Sequence, residues 1–269
     1  MSSSQRIGRG RHAIVFECRD SSDCKYAIKL FKQDSLRRVD REIEILRHLR
    51  GGPNIICFMD SVDQSGAIEH EYRSDICYYT RELLKALEFT HGRGVMHRDI
   101  RPHNVVIDHE HRKLRLIGWS SSAFYRPGQE HSLRVGLFKA PEVLVSNERY
   151  DPKIDMWCFG AMFASMMFRK EPFFHGNSIS DQLDKISRVL GTERLYDYLD
   201  KYQIELDEYI IDVLGEYSPR PWSGFVNSDN EHLVSDDSLH LLDQLLRFDP
   251  EERLTASEAL AYPYYQSLE

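Results

Sequence analysis

The stretch from His97 to Ser120 constrains this chain more than any other. It runs His97-Arg98-Asp99, then Asn104, then two short apolar runs, Val105-Val106-Ile107 and Leu114-Arg115-Leu116-Ile117, parted by a charged turn and closed by Gly118-Trp119-Ser120. Two short strands flanking a polar tip make a rigid mount for reactive groups. Asp99 is a carboxylate that can take a proton from a hydroxyl, and Asn104, five positions on, offers an amide oxygen to Mg²⁺.

The chain has 269 residues, 41% hydrophobic and 29% charged, the balance of an ordinary globular domain and not of a disordered segment. A formal net charge of −8 argues against general binding to nucleic acid or to an acidic membrane, which need a basic surface. The five cysteines, Cys18, Cys24, Cys57, Cys77 and Cys158, are scattered and form no CxxC pair, so free thiols in a reducing compartment are expected. No run approaches the ~18 apolar residues of a membrane span, and Met1 to Arg6 lacks an apolar signal region. An intracellular setting, cytoplasm or nucleus, is the expectation.

From the N-terminus, Ile7-Gly8-Arg9-Gly10 to Val15 reads as strand, glycine turn, strand, and Tyr26-Ala27-Ile28-Lys29-Leu30 as a third β-rich run. Leu36, Val39, Ile43, Leu46 and Leu49 recur at helical spacing with charges between them, and Glu42 lies on that helix, 13 positions after Lys29. Gly51-Gly52-Pro53 stops it. Ile55 to Val62 and Ala67-Ile68 read as a hairpin joined by Asp63-Gln64-Ser65-Gly66, and Asp75 to His91 as a long helix leading into the central stretch. Beyond it come Ala140-Pro141-Glu142, Asp155-Met156-Trp157 opening an apolar helix through Phe168, and Arg253-Leu254-Thr255-Ala256.

In this order the motifs resemble those of eukaryotic protein kinases: a Gly-x-Gly-x-x-x-x-Val hairpin, Ala-Ile-Lys, a helix glutamate, and His-Arg-Asp-Ile-Arg-Pro-His-Asn as a catalytic loop. The stretches HRDIRPHNVVIDHEHRKLRLI, FRKEPFFHG, VLGTERLYDYLDKYQIELD and LRGGPNII are similar to the casein kinase II catalytic α subunit. The resemblance covers nearly the whole chain. It implies an α+β, two-lobed fold with a small β-rich lobe carrying one helix (residues 1–71) and a larger helical lobe (72–269), together one domain.

The resemblance also assigns roles. ATP or GTP would lie under Gly8, Gly10 and Val15, with Lys29 on its phosphates and Glu42 pairing with Lys29. Asp99 would act on the substrate hydroxyl, Arg101 would meet the γ-phosphate where a lysine is usual, and Asn104 would hold Mg²⁺. Arg37, Arg38, Arg134 and Lys139, with Arg41, match basic positions that read acidic protein substrates, although Asp40 replaces a lysine. Glu142 and Arg253 would form a buried structural ion pair. A β regulatory subunit is the implied partner, but the connection at Asp63–Gly66 is shorter than the family's, and weak or absent binding is expected.

The departures gather at function. The metal-binding aspartate of the family's Asp-Phe-Gly or Asp-Trp-Gly triplet is here Gly118, leaving Mg²⁺ without its main ligand. Only Glu71-Tyr72-Arg73-Ser74 separates the hinge-like Glu69-His70 from the helix at Asp75, and Arg134 to Lys139 is two residues shorter than its counterpart. Two readings follow: a divergent Ser/Thr kinase, or a pseudokinase that keeps the fold as a binding or allosteric scaffold. The same sequence leads to the expectation that Gly118→Asp restores Mg²⁺-dependent nucleotide binding.

Overall fold

The structure is a computed structural model that describes residues 5–9, 13–19, 25–31, 36–56, 73–133 and 138–266. Three antiparallel strands come first, β1 (Gln5–Arg9), β2 (Ala13–Arg19) and β3 (Lys25–Phe31), in that order across the sheet. Gly8 faces Val15 and Val15 faces Lys29, so one row across the sheet carries three of the nucleotide-side candidates. The register shifts between Arg6 and Gly8, as a bulge on the glycine strand does.

Helix α1 (Leu36–His48) turns Glu42, Ile45 and Leu46 inward and ends at Leu49 and Gly51, whose φ of +83° is the left-handed conformation that glycine adopts freely. Past the helix, Asn54 accepts from the Leu116 amide at 2.7 Å and Ile55 forms a parallel bridge with Leu116. At its first residue the expected hairpin thus also meets a strand of the catalytic region. The remainder of that hairpin, with the hinge, lies outside the described residues.

Helix α2 (Arg73–Gly92) begins two residues before the expected start and buries Ile76, Leu83, Leu84 and Leu87. Short β4 (Val95–Met96) pairs with β7 (Ala123–Phe124), and β5 (Val105–Asp108) with β6 (Lys113–Leu116), all antiparallel. The rest is helical: α3 (Pro141–Leu144), α4 (Lys153–Met167), α5 (Ile179–Leu190), α6 (Thr192–Tyr202), α7 (Glu208–Ile211), α8 (Asp236–Leu245), α9 (Ala256–Leu260) and α10 (Pro263–Gln266). Several helix starts are capped as their sequences specify. Ser235 and Ser238 form one reciprocal capping box and Thr255 and Glu258 another.

Helix α4 is the core of the larger region, with Trp157, Phe159 and Phe163 fully enclosed. Glu142 and Arg253 meet with no solvent exposure, the guanidinium reaching both carboxylate oxygens at 2.8 and 3.1 Å. Arg253 also donates to the carbonyls of Lys153, Arg247 and Phe248, so the charged pair has the extra hydrogen bonds that burial demands. Cys77 and Cys158 are buried free thiols. Among the described residues no helix is long and apolar enough to cross a membrane.

Candidate active site

The catalytic loop is hung from a carboxylate in α4. Asp155, fully enclosed, accepts the backbone N–H of His97 at 2.8 Å, that of Arg98 at 2.7 Å and His91 Nε2 at 2.9 Å. Burial opposes its ionisation, yet the hydrogen bonds from His91 and the His97 backbone hold its carboxyl below the ordinary range. These donors fix the turn at Arg98, whose φ of +64° a non-glycine residue rarely adopts without such support.

His97 is enclosed against Trp119, with ring centroids 4.6 Å apart. Its Nε2 donates to the Ile117 carbonyl at 2.9 Å, which leaves Nδ1 to accept the Asp99 N–H at 3.3 Å. Burial pushes its pKa down against the pull of Asp155, so the imidazole is neutral. One ring thus ties Asp99 to the residue before Gly118. Ser122 donates from its hydroxyl to the His97 carbonyl at 3.2 Å. Arg98 donates from Nε to Ser121 O at 2.6 Å and from NH1 to Tyr150 Oη at 3.0 Å, while the Tyr150 hydroxyl donates to Ser132 O at 2.6 Å.

A 3₁₀ turn, Pro102–Asn104, brings Asn104 back over Asp99. The Asn104 amide donates to the Asp99 backbone carbonyl at 2.7 Å and to Asp99 Oδ2 at 2.8 Å. Asp99 Oδ1 is buried without a hydrogen bond, as is Arg101 Nε, and the two face each other at 3.9 Å. The Asn104 carbonyl oxygen Oδ1 points to Gly118, which has φ +82° and ψ +36°. In the small sheet, Lys29 Nζ lies 2.6 Å from Glu42 Oε1, as the 13-residue spacing between strand and helix predicts.

Val15 and Lys29 are half-buried on adjacent strands, and Gly8 is on β1. Gly10 and Arg134 lie outside the described residues; Arg37 and Arg38 are placed by backbone only, in the first turn of α1. Arg41 is exposed on the same helix, and Lys139 is half-buried beside Phe138. Sequence reasoning gave no role to His97, Tyr150 or Asp155. A lone carboxylate opening a helix as apolar as 154–167 is the signal that could have found Asp155.

Residues 1–265 match the family model of the protein kinase domain. The chain belongs to the protein kinase family. Kinase domains use ATP and Mg²⁺ in general, which sets a test for this one. Lys29, held by Glu42, and the Arg101 guanidinium, 30% exposed beside Asp99, are cations of the kind that suits an anionic phosphate chain. The metal fits poorly. Mg²⁺ is held in such sites by carboxylates with phosphate oxygens and water, but Gly118 supplies no donor atom and one oxygen of Asp99 is engaged by Asn104. Asp108 is remote, at the end of β5, where its side chain takes the His111 backbone N–H and ring. Among the described residues no group of three His, Cys, Asp or Glu side chains is arranged to hold a metal ion.

Proposed function

We propose that this kinase domain is a casein kinase II α-like Ser/Thr protein kinase, transferring the γ-phosphate of ATP, or of GTP, to protein hydroxyls beside acidic residues. The observation that supports it best is Asp99, its carboxylate held by Asn104 and flanked by Arg101 and its backbone N–H held by His97. In this reading Asp99 orients the hydroxyl and receives its proton as the oxygen attacks phosphorus, while the bond to the β-phosphate oxygen breaks and the diphosphate leaves. Lys29, aimed by Glu42, and Arg101 offset the phosphate charge. In this reading Arg37, Arg38, Arg134 and Lys139 are the basic residues that read acidic substrates. An intracellular setting goes with this reading, and β-subunit binding is weak or absent; co-purification of a stoichiometric complex with a β subunit would contradict the latter.

A second reading, a pseudokinase scaffold, is favoured by Gly118 together with the short connection before Asp75 and the shortened segment at Arg134 to Lys139. Purified protein given γ-labelled ATP and an acidic Ser/Thr peptide decides between them. Transfer that is lost in Asp99→Asn supports the kinase; nucleotide binding without transfer supports the scaffold.

A further inference from the structure

Three features of the catalytic loop belong together. Gly118 has no side chain, and the volume a Cβ would fill there is taken by the Asn104 amide, so the place of a metal-binding carboxylate is occupied by protein. That amide is turned so that its N–H group serves Asp99 twice, at 2.7 and 2.8 Å, which makes Asn104 a positioning residue for Asp99. Beside them stands Arg101, whose Nε faces Asp99 Oδ1 at 3.9 Å and whose side chain is 30% exposed. No hydrogen bond to another described residue engages that guanidinium.

We infer that the cleft binds nucleotide without a divalent metal, the Arg101 guanidinium standing as the cation that faces the phosphates. This rests on the nucleotide-binding reading above and specifies how the site works. A guanidinium is permanently charged, and its planar fork matches phosphate oxygens in a way that a lysine ammonium does not. Its charge is supplied with the fold, so the loop needs no second carboxylate to recruit one. The sign of the Mg²⁺ effect follows. A nucleotide already neutralised by metal is attracted less to Arg101 and Lys29 than the free polyanion is, so Mg²⁺ gives no gain in affinity and lowers it where the two cations dominate.

The test is titration of the intact chain with ATP in excess EDTA and in excess MgCl₂, followed by calorimetry, on the unaltered protein, Arg101→Ala and Arg101→Lys. Thermal melts check that each variant is folded. The expected result is EDTA affinity equal to or tighter than that in Mg²⁺. Arg101→Ala should weaken metal-free binding by about 10- to 150-fold, the loss of a charge-assisted contact, and Arg101→Lys should recover part of it. A tenfold or greater gain on adding Mg²⁺ to the unaltered protein overturns the inference and leaves the kinase reading standing. So does unchanged EDTA binding in folded Arg101→Ala. Absence of binding in both buffers overturns the nucleotide-binding reading and this inference with it.

Discussion

The amide of Asn104 lies where a Cβ on Gly118 would stand, so the two residues cannot both carry a side chain in this arrangement. The pairing explains why the loop is self-contained. Asn104 holds the backbone carbonyl and one carboxylate oxygen of Asp99 through its N–H group and covers Gly118 with its oxygen. It also revises the expectation for Gly118→Asp. Aspartate tolerates the left-handed backbone better than most residues, but its side chain must displace the Asn104 amide. The variant should gain Mg²⁺-dependent nucleotide affinity while losing about 1–3 kcal/mol of stability from the broken Asn104–Asp99 hydrogen bonds. Nucleotide titration with and without Mg²⁺, alongside denaturant unfolding, measures both. A gain in metal dependence with no loss of stability would mean that Asn104 has room to move freely.

Glu42→Gln keeps the shape of the helix side chain and removes its charge. Lys29 is about one-third exposed and solvent screens its end of the pair, while the buried Glu42 keeps its packing as glutamine, so the effect belongs mainly to the ligand. Nucleotide affinity should fall by about tenfold, an ordinary size for one misaimed charged contact, with the melting temperature little changed. Unaltered affinity would show that Lys29 does not reach the phosphates.

Glu142→Ala leaves Arg253 charged in a place with no solvent exposure. Breaking a buried pair from one side costs about 3–5 kcal/mol, enough to consume much of a domain's margin. Replacing both by apolar residues of similar volume should restore only part of the loss, because the carbonyls of Lys153, Arg247 and Phe248 then lose the Arg253 donors. Urea unfolding of the single and double variants reads this directly.

His97 and His131 carry the pH dependence. Burial lowers both pKa values, opposed by Asp155 at His97 and reinforced by Arg98 at His131. The folded state therefore binds fewer protons than the unfolded chain, whose histidines titrate near ~6.5. Their stability contribution is present above that pH and is lost as pH falls through it. Unfolding free energy should decline between about pH 7 and pH 5. His131→Phe should flatten part of the slope, because the His131 ring sits against Tyr125 and Tyr150 and its buried Nε2 makes no hydrogen bond. Stability that is flat or rising on acidification would contradict these assignments.

Much of the site is legible in the residues because its parts are local. Asp99 to Asn104 is one loop, and Lys29 to Glu42 spans one strand and one helix. The Glu142–Arg253 pair spans 111 positions, and only family resemblance joined its two ends. What the sequence concealed is long-range and polar. Asp155 reaches the His97 backbone across 58 positions, a contact with no periodicity or motif of its own. The pairing of β4 with β7 was equally hidden, since two-residue strands carry no alternation to read. The Gly118–Asn104 relationship is of the same kind: the sequence shows a missing ligand, and only the folded loop shows that the Asn104 amide fills its place.

The role of Asp99 as the base for phosphotransfer is tested most directly by single-turnover transfer from γ-labelled ATP to an acidic Ser/Thr peptide. The unaltered protein should transfer phosphate more slowly than the ordinary kinase range of ~1–100 s⁻¹, by about 10²–10³ for a lost electrostatic group at Gly118, and Asp99→Asn should abolish the transfer. Equal incorporation by the unaltered protein and Asp99→Asn, or nucleotide bound with no incorporation by either, would contradict the account.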